Sequence, residues 1–273
     1  LADRYLAAGP DAVSHEALEA SLRRATVRGQ LVPVLCGSAY KNRGVQMLLD
    51  AVVKYLPSPA DVRPVVGTSP AGETCTRAPR DDAPLCALAF KLVADRVAGS
   101  LTFVRVYAGR LVPGAPVLDS TRGRRERIGR LVRLHATEQT EVDCAYAGDI
   151  VAVLGLRDVR TGDTLTDPAH PVLLDAIAVP EAVVTVAVEA KNAGETDRLS
   201  AALARMALED PSLRVTVDAD SGQMLLHGVG ELHLEIVVDR LASDHKVEAK
   251  VGRPRVAYRE ALCGTARVEQ TVS

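Results

Sequence analysis

Tryptophan is absent from this 273-residue chain, phenylalanine occurs twice and tyrosine six times. So few rings leave little surface on which bases could stack, which argues against sequence-specific reading of single-stranded RNA. Cysteine is sparse and scattered: Cys36, Cys75, Cys86, Cys144 and Cys263 show no CxxC spacing. An odd, dispersed set argues against a disulfide framework and a structural zinc site, and suits a reducing, cytoplasmic setting. No apolar run reaches the roughly 18 residues of a membrane-spanning helix, and no basic-then-apolar leader opens the chain. Neither a membrane nor DNA is therefore expected as a partner. The formal net charge is −2, so attraction to RNA would have to come from a local patch.

Catalytic signatures are missing as well. The phosphate cradle GxxxxGK(S/T) and the DxxG turn do not occur. Phosphoryl transfer needs backbone amides, a lysine and a magnesium ligand held together, so the chain is expected to be inactive toward GTP by itself. GxSxG and HExxH are absent, which leaves an unrelated hydrolase without a nucleophile or a metal. His227 and His233 stand in the string HGVGELH, a spacing that matches no common zinc pattern. No catalytic residue and no metal site is assigned.

What is present is the composition of a globular protein, 47% hydrophobic and 25% charged, at a length that suits two or three domains. Residues 14–28 carry a helix signal, with Ser14 as cap, Leu18, Leu22 and Ala25 at helical spacing, and Gly29 as stop. The run Leu31 to Cys36 is apolar on both faces, as a buried parallel strand would be, although Pro33 removes a ladder donor. A small-residue loop, Gly37-Ser38-Ala39, precedes a second helix striped by Val45, Leu48, Leu49, Val52, Val53 and Leu56. Helix, strand, loop, helix is the closing part of a parallel α/β domain. Residues 60–83 lack periodicity and read as a linker. From Pro84 to about Pro171, short strand-like runs alternate with turns such as Pro113-Gly114 and Thr161-Gly162-Asp163, the pattern of a small antiparallel barrel. After Pro180 the expected order is strand at 183–188, helix through Leu199 to Ala207, hairpin 213–227 across Asp220-Ser221-Gly222, helix through Leu234 to Leu241, and strand at 247–250. That β-α-β-β-α-β order is the split βαβ, ferredoxin-like arrangement.

Three places could carry chemistry. The loop at Ser38 and Ala39 sits where α/β domains bind ligands, or is a plain strand-to-helix turn. Residues 122–133 hold Arg122, Arg124, Arg125, Arg127, Arg130 and Arg133 against the single acid Glu126. Guanidinium groups pair bidentately with phosphates, so the cluster is either an RNA-backbone contact or a solvated strand face. His233 and Arg240, seven residues apart on one helix, line up as a polar ridge that is either solvated or a domain contact.

Read together, VPVLCGSAYKNRGVQMLLDAVVKYLPSP, LTFVRVYAG, STRGRRERIGR, YAGDIVAVLGL, RTGDTL, GELHLEIVVDR and VGRPRVAYRE resemble bacterial elongation factor G over nearly the whole chain. The resemblance implies a multidomain α/β plus all-β plus α+β protein. Residues 1–62 would be the end of a GTP-binding domain, 63–83 a linker, and 84–171 the translation-factor β-barrel. A second linker would span 172–182, a ferredoxin-like βαββαβ domain 183–253, and the start of a fourth domain 254–273. Ser38 and Ala39 would then contact the guanine base of GTP, whose Mg2+ belongs to segments not found here. Arg122, Arg124, Arg125 and Arg127 would contact the ribosome, its small-subunit RNA and protein, and the parent would move the tRNA–mRNA complex by one codon. Pro180, His233 and Arg240 match positions where fusidic acid wedges between domains, with Ala182 where the family often carries a second proline. On this resemblance the chain is expected to be an internal piece of a ribosomal translocase GTPase. The alternatives are a translocase paralogue, a tetracycline ribosome-protection factor, or a non-catalytic RNA-binding module.

Overall fold

A computed structural model describes residues 2–9, 12–95, 99–136, 138–218 and 222–252. The chain divides into two compact units, residues 1–90 with 100–175, and residues 91–99 with 176–273.

The first unit opens with three helices, α1 (Ala2–Ala8), α2 (His15–Val27) and α3 (Val45–Tyr55). Ser14 starts α2, its hydroxyl oxygen accepting the Ala17 N–H at 3.2 Å and so satisfying one of the first-turn amides that the helix leaves free. Gly29, with φ of 67°, follows Arg28 and ends it in a conformation that side chains disfavour. Arg23 of α2 donates to the carbonyls of Lys54 and Leu56 at the C-terminal end of α3, at 2.7 and 3.4 Å. A cation there complements the carbonyl end of the helix.

The expected parallel strand at 31–36 is not formed: these residues carry no strand, and Val32 and Val34 are 82% and 88% exposed. A strand exists only through hydrogen bonds to a neighbour, and no described strand lies beside this run. The apolar stripe on α3 is likewise uncovered, with only Ala51 buried and Met47, Leu49 and Val53 exposed.

Eleven strands follow among the described residues: β1 (Val65–Thr68), β2 (Thr74–Arg77), β3 (Cys86–Asp95), β4 (Gly99–Ala108), β5 (Pro116–Asp119), β6 (Arg124–Arg127), β7 (Leu131–His135), β8 (Glu138–Val142), β9 (Ile150–Leu154), β10 (Thr164–Thr166) and β11 (Leu173–Leu174). β1, β2 and β11 form a three-stranded sheet inside the segments 63–83 and 172–182, which the sequence leaves without regular structure. At two to four residues each, they are too short for an alternation to register. The other eight form one sheet in the order β6-β5-β10-β3-β4-β9-β7-β8. Val117 of β5, Leu165 of β10, Ala87 of β3, Val104 of β4, Val151 of β9 and Leu131 of β7 all join a single buried cluster. Inward residues from strands across the sheet can share one core only if the sheet curls around it. Two glycines permit close backbone approaches: Gly109, with φ of 75°, lies against the Leu85 backbone, and Gly129 lies against the Leu154 carbonyl.

The second unit contains β12 (Val184–Ala190), α4 (Thr196–Glu209), β13 (Arg214–Val217), β14 (Met224–Gly228), α5 (Glu231–Ser243) and β15 (Ala249–Val251). Its sheet runs β13-β14-β12-β15, with every pairing antiparallel. Leu199, Ala202, Leu203 and Met206 of α4 and Leu234, Val237 and Leu241 of α5 bury one stripe each, packing with Val186, Val188 and Leu226 of the sheet. In the β13–β14 hairpin Asp218 N–H donates to the Gln223 carbonyl at 2.8 Å, and Gly222 has φ of 67°. Asp220 and Ser221 of the expected turn lie outside the described residues, as do Cys263 and the expected fourth-domain start at 254–273.

Candidate functional site

The arginine string 122–127 divides once its side chains are placed. β6 lies at one end of the eight-stranded sheet, and cross-strand partners place Arg125 opposite Leu118 and Arg127 opposite Pro116. Glu126 pairs with the buried Val117, so alternation turns Arg125 and Arg127 to the outer face. Both are exposed, with Arg127 donating to the Gly114 carbonyl at 3.1 Å. Arg124 pairs with Asp158 at 3.2 Å, both well exposed, a contact of little energetic weight. Charges along an unpaired edge also discourage strand addition, so Arg125 and Arg127 can serve both as an anion-facing pair and as edge protection.

Arg122 is different. Its Nε donates to Asp163 Oδ2 at 2.9 Å, and that carboxylate also accepts the Arg160 N–H at 2.7 Å. Asp119 stands beside it, 1% exposed, with Oδ1 accepting the Thr121 and Arg122 N–H groups at 3.0 and 3.2 Å. Its Oδ2 is buried without a hydrogen-bond partner, 4.0 Å from Arg122 Nε. Burial and the neighbouring Asp163 carboxylate push the Asp119 carboxyl up to about 6, against the two N–H donors and the Arg122 guanidinium. Thr121 accepts the Thr164 N–H at 3.0 Å, and the Ser120 and Thr166 hydroxyls pair at 2.7 Å. Arg122 is thus a counter-charge to two buried acids while remaining at the surface. Sequence reasoning missed Asp119 and Asp163, which lie 44 residues apart in the chain, one just ahead of the arginine string and the other in the turn Thr161-Gly162-Asp163.

The loop before α3 is closed on itself. Ser38 N–H donates to the Arg43 carbonyl at 2.9 Å and Arg43 N–H to the Ser38 carbonyl at 3.0 Å. Asn42 N–H reaches the Ala39 carbonyl at 3.0 Å, with Asn42 at φ of 48° and Gly44 at φ of 78°. A Cβ on Gly44 would sit 2.9 Å from the Cys36 carbonyl, so this turn needs glycine. Ser38 is half-buried and Ala39 exposed.

His233 and Arg240 of α5 meet two consecutive acids at the end of α4. His233 Nε2 lies 2.9 Å from Asp210 Oδ2, and its Nδ1 accepts the Val229 N–H at 3.2 Å. Arg240 donates to Glu209 at 2.8 Å and to Asp244 at 3.3 Å. Burial raises the Asp210 carboxyl, but two hydrogen bonds from Ser212 and the contact with His233 outweigh it and leave it below its ordinary value. The ridge expected from spacing is therefore a clamp joining the two helices of the second unit, and its partners Glu209 and Asp210 gave no sequence signal. Pro180 is exposed in the segment 175–183, ahead of β12. His227 has both ring nitrogens engaged, by Thr185 at 2.9 Å and Thr216 at 2.8 Å. Among the described residues no group of three or more metal-ligating side chains converges.

The curled eight-stranded sheet is followed in the chain by a β-α-β-β-α-β unit. A crystal structure of a Thermus thermophilus protein superposes with a TM-score of 0.71 at 30% sequence identity, covering 93% of this chain and 36% of that one. Residues 84–168 match the family model described as elongation factor G domain 2, and residues 179–253 that described as elongation factor G, domain III. Together these stretches account for more than half of the chain, which belongs to the elongation factor G family.

Proposed function

We propose that the chain acts as the ribosome-docking middle of a translocase of the elongation factor G type. On this reading the 84–171 sheet is the translation-factor barrel and 183–253 the ferredoxin-like third domain. Strand order β15-β12-β14-β13 with helices after the first and third strands supports that label. The observation that carries the proposal is the consecutive match of two domains of one translation factor. Arg125 and Arg127, outward on an edge strand, would meet small-subunit RNA by phosphate contact, with Arg124 at their margin. The setting would be cytoplasmic, and movement of the tRNA–mRNA complex would fall to segments beyond these two domains.

The residues present do not fit a whole GTP molecule. Ser38 has its backbone N–H and carbonyl committed to Arg43, leaving the exposed edge of the loop at Ala39 for a guanine base. Among the described residues neither a triphosphate cradle nor a converging set of Mg2+ ligands is found. At the fusidic acid edge, His233 and Arg240 would act by holding α5 against α4, and Pro180 is exposed. GTP binding and ribosome-stimulated hydrolysis, measured beside a full-length elongation factor G, test this reading. An inert chain beside an active control is expected, and GTP turnover by the chain itself would contradict it.

A further inference from the structure

A cavity of about 140 Å³ lies in the first unit, between the segment 59–65 that leads from α3 into β1 and the outer face of β4. Alternation along β4 places Val104 and Val106 in the core of the eight-stranded sheet and turns Arg105 and Tyr107 the other way. Arg63 and Val62 stand across from them, and Pro59 packs against Gly148, which has φ of 99° and no side chain in the way. None of the residues lining the cavity borders a stretch outside the described residues.

Positive charge is gathered there without a counter-charge. Arg63 and Arg105 both line the cavity, and among the described residues no acid does. The acids next to lining residues in the chain are engaged elsewhere: Asp61 pairs with Arg23 at 2.6 Å, and Asp149 faces Arg133 at 3.8 Å and accepts the Tyr146 N–H at 2.9 Å. Among the described residues the Arg105 guanidinium has no hydrogen bond or ion pair; it lies over the Tyr107 ring, 5.3 Å from the centroid. Its Nε is buried with no acceptor. A buried donor without a partner is costly, and a guanidinium held over a ring is already oriented. Nε and one Nη make the edge through which arginine takes an oxyanion bidentately. At about 30 Å³ per water, 140 Å³ equals the volume of about four or five waters. That admits one small oxyanion, whereas pockets for larger ligands run to roughly 300–1,000 Å³.

We propose that this cavity binds a phosphate group, either the free ion or the terminal phosphate of a larger molecule whose remainder stays outside. Two negative charges on such a phosphate match the two guanidinium groups better than the single charge of a carboxylate or of an RNA backbone diester. The site is independent of the ribosomal reading above, since none of its residues belongs to β6.

The test uses the whole chain, titrated with inorganic phosphate and with ribose 5-phosphate and followed by broadening of their phosphorus NMR signals. Inorganic phosphate should bind, and an equal concentration of acetate should not displace it. Arg105→Gln should weaken phosphate by roughly tenfold or more, and Arg63→Gln, at an exposed position, by about two- to fivefold. Arg125→Gln with Arg127→Gln should leave the affinity unchanged. Ribose 5-phosphate binding as tightly as inorganic phosphate would identify a terminal phosphate as the occupant, and its exclusion would identify the free ion. Absence of phosphate binding, equal displacement by acetate, or loss of binding in the β6 pair variant instead of the Arg105 variant would overturn the proposal. Should circular dichroism show that Arg105→Gln fails to fold, Arg63→Gln decides, and unchanged affinity there would equally refute a phosphate site in this cavity.

Discussion

Replacing Asp119 by asparagine should stabilise the protein at neutral pH and leave it unchanged near pH 4. Asp119 is buried with one oxygen unpartnered and Asp163 beside it, and its carboxyl titrates near 6 in place of 3.8. A raised carboxyl means that the folded state holds the proton more firmly than the unfolded chain does. Stability therefore falls as pH rises from the unfolded value through about 6, since the unfolded state binds fewer protons over that interval. At about 1.36 kcal/mol per pH unit, the interval amounts to on the order of 3 kcal/mol, carried entirely by the charged form. Asparagine keeps an oxygen for the Thr121 and Arg122 N–H groups and removes the buried negative charge that stands beside Asp163. Other carboxyls such as Asp210 and Asp167 lie below their ordinary values and tilt stability the opposite way, so the informative quantity is the difference between variant and parent. Because the chain has no tryptophan, Phe103→Trp in β4 supplies a reporter for urea unfolding of the sheet. The advantage of Asp119→Asn should grow from near zero at pH 4 to between about 2 and 3 kcal/mol at pH 7.5. A difference that stays flat with pH would refute the account of the buried pair.

Further expectations test the remaining features. Leu203→Ala, at a fully buried site in α4, should destabilise the second unit by about 2–5 kcal/mol; a negligible loss in urea unfolding would mean that the helix face is misassigned. Gly109→Ala would force a Cβ to 2.7 Å from the Leu85 backbone at positive φ and should cost at least about 2 kcal/mol in the same assay. Among the described cysteines, maleimide labelling of the native chain should reach exposed Cys36 first and Cys86 last, because burial holds the Cys86 thiol up at about 11. Comparable rates for the two would contradict that burial.

Much of the secondary structure was legible because the signals were local. Ser14 caps α2, β9 covers the run Ile150 to Leu154, and the stripe Leu199, Ala202, Leu203 and Met206 is buried as its spacing implied. What the sequence did not show shares one cause. Leu31 to Cys36 has a strand's composition, but strand formation depends on a neighbour elsewhere. In the arginine string Arg122 looked no different from Arg125, because a sequence does not show which guanidinium reaches a buried acid 41 residues away. The same holds for Glu209 and Asp210, which become meaningful only when α5 brings Arg240 and His233 against them. Local propensity writes itself into short windows; side-chain partnership across the fold does not.

The central claim, a ribosome-docking middle that uses an edge arginine pair, is tested most directly by binding to purified small ribosomal subunits. Co-sedimentation over a salt series should show binding by the chain that weakens as salt rises, through release of counterions from the RNA. Arg125→Glu with Arg127→Glu should weaken it and flatten the salt dependence while leaving the fold intact. Unchanged affinity and slope in that variant, or no binding by the parent chain at low salt, would contradict the account.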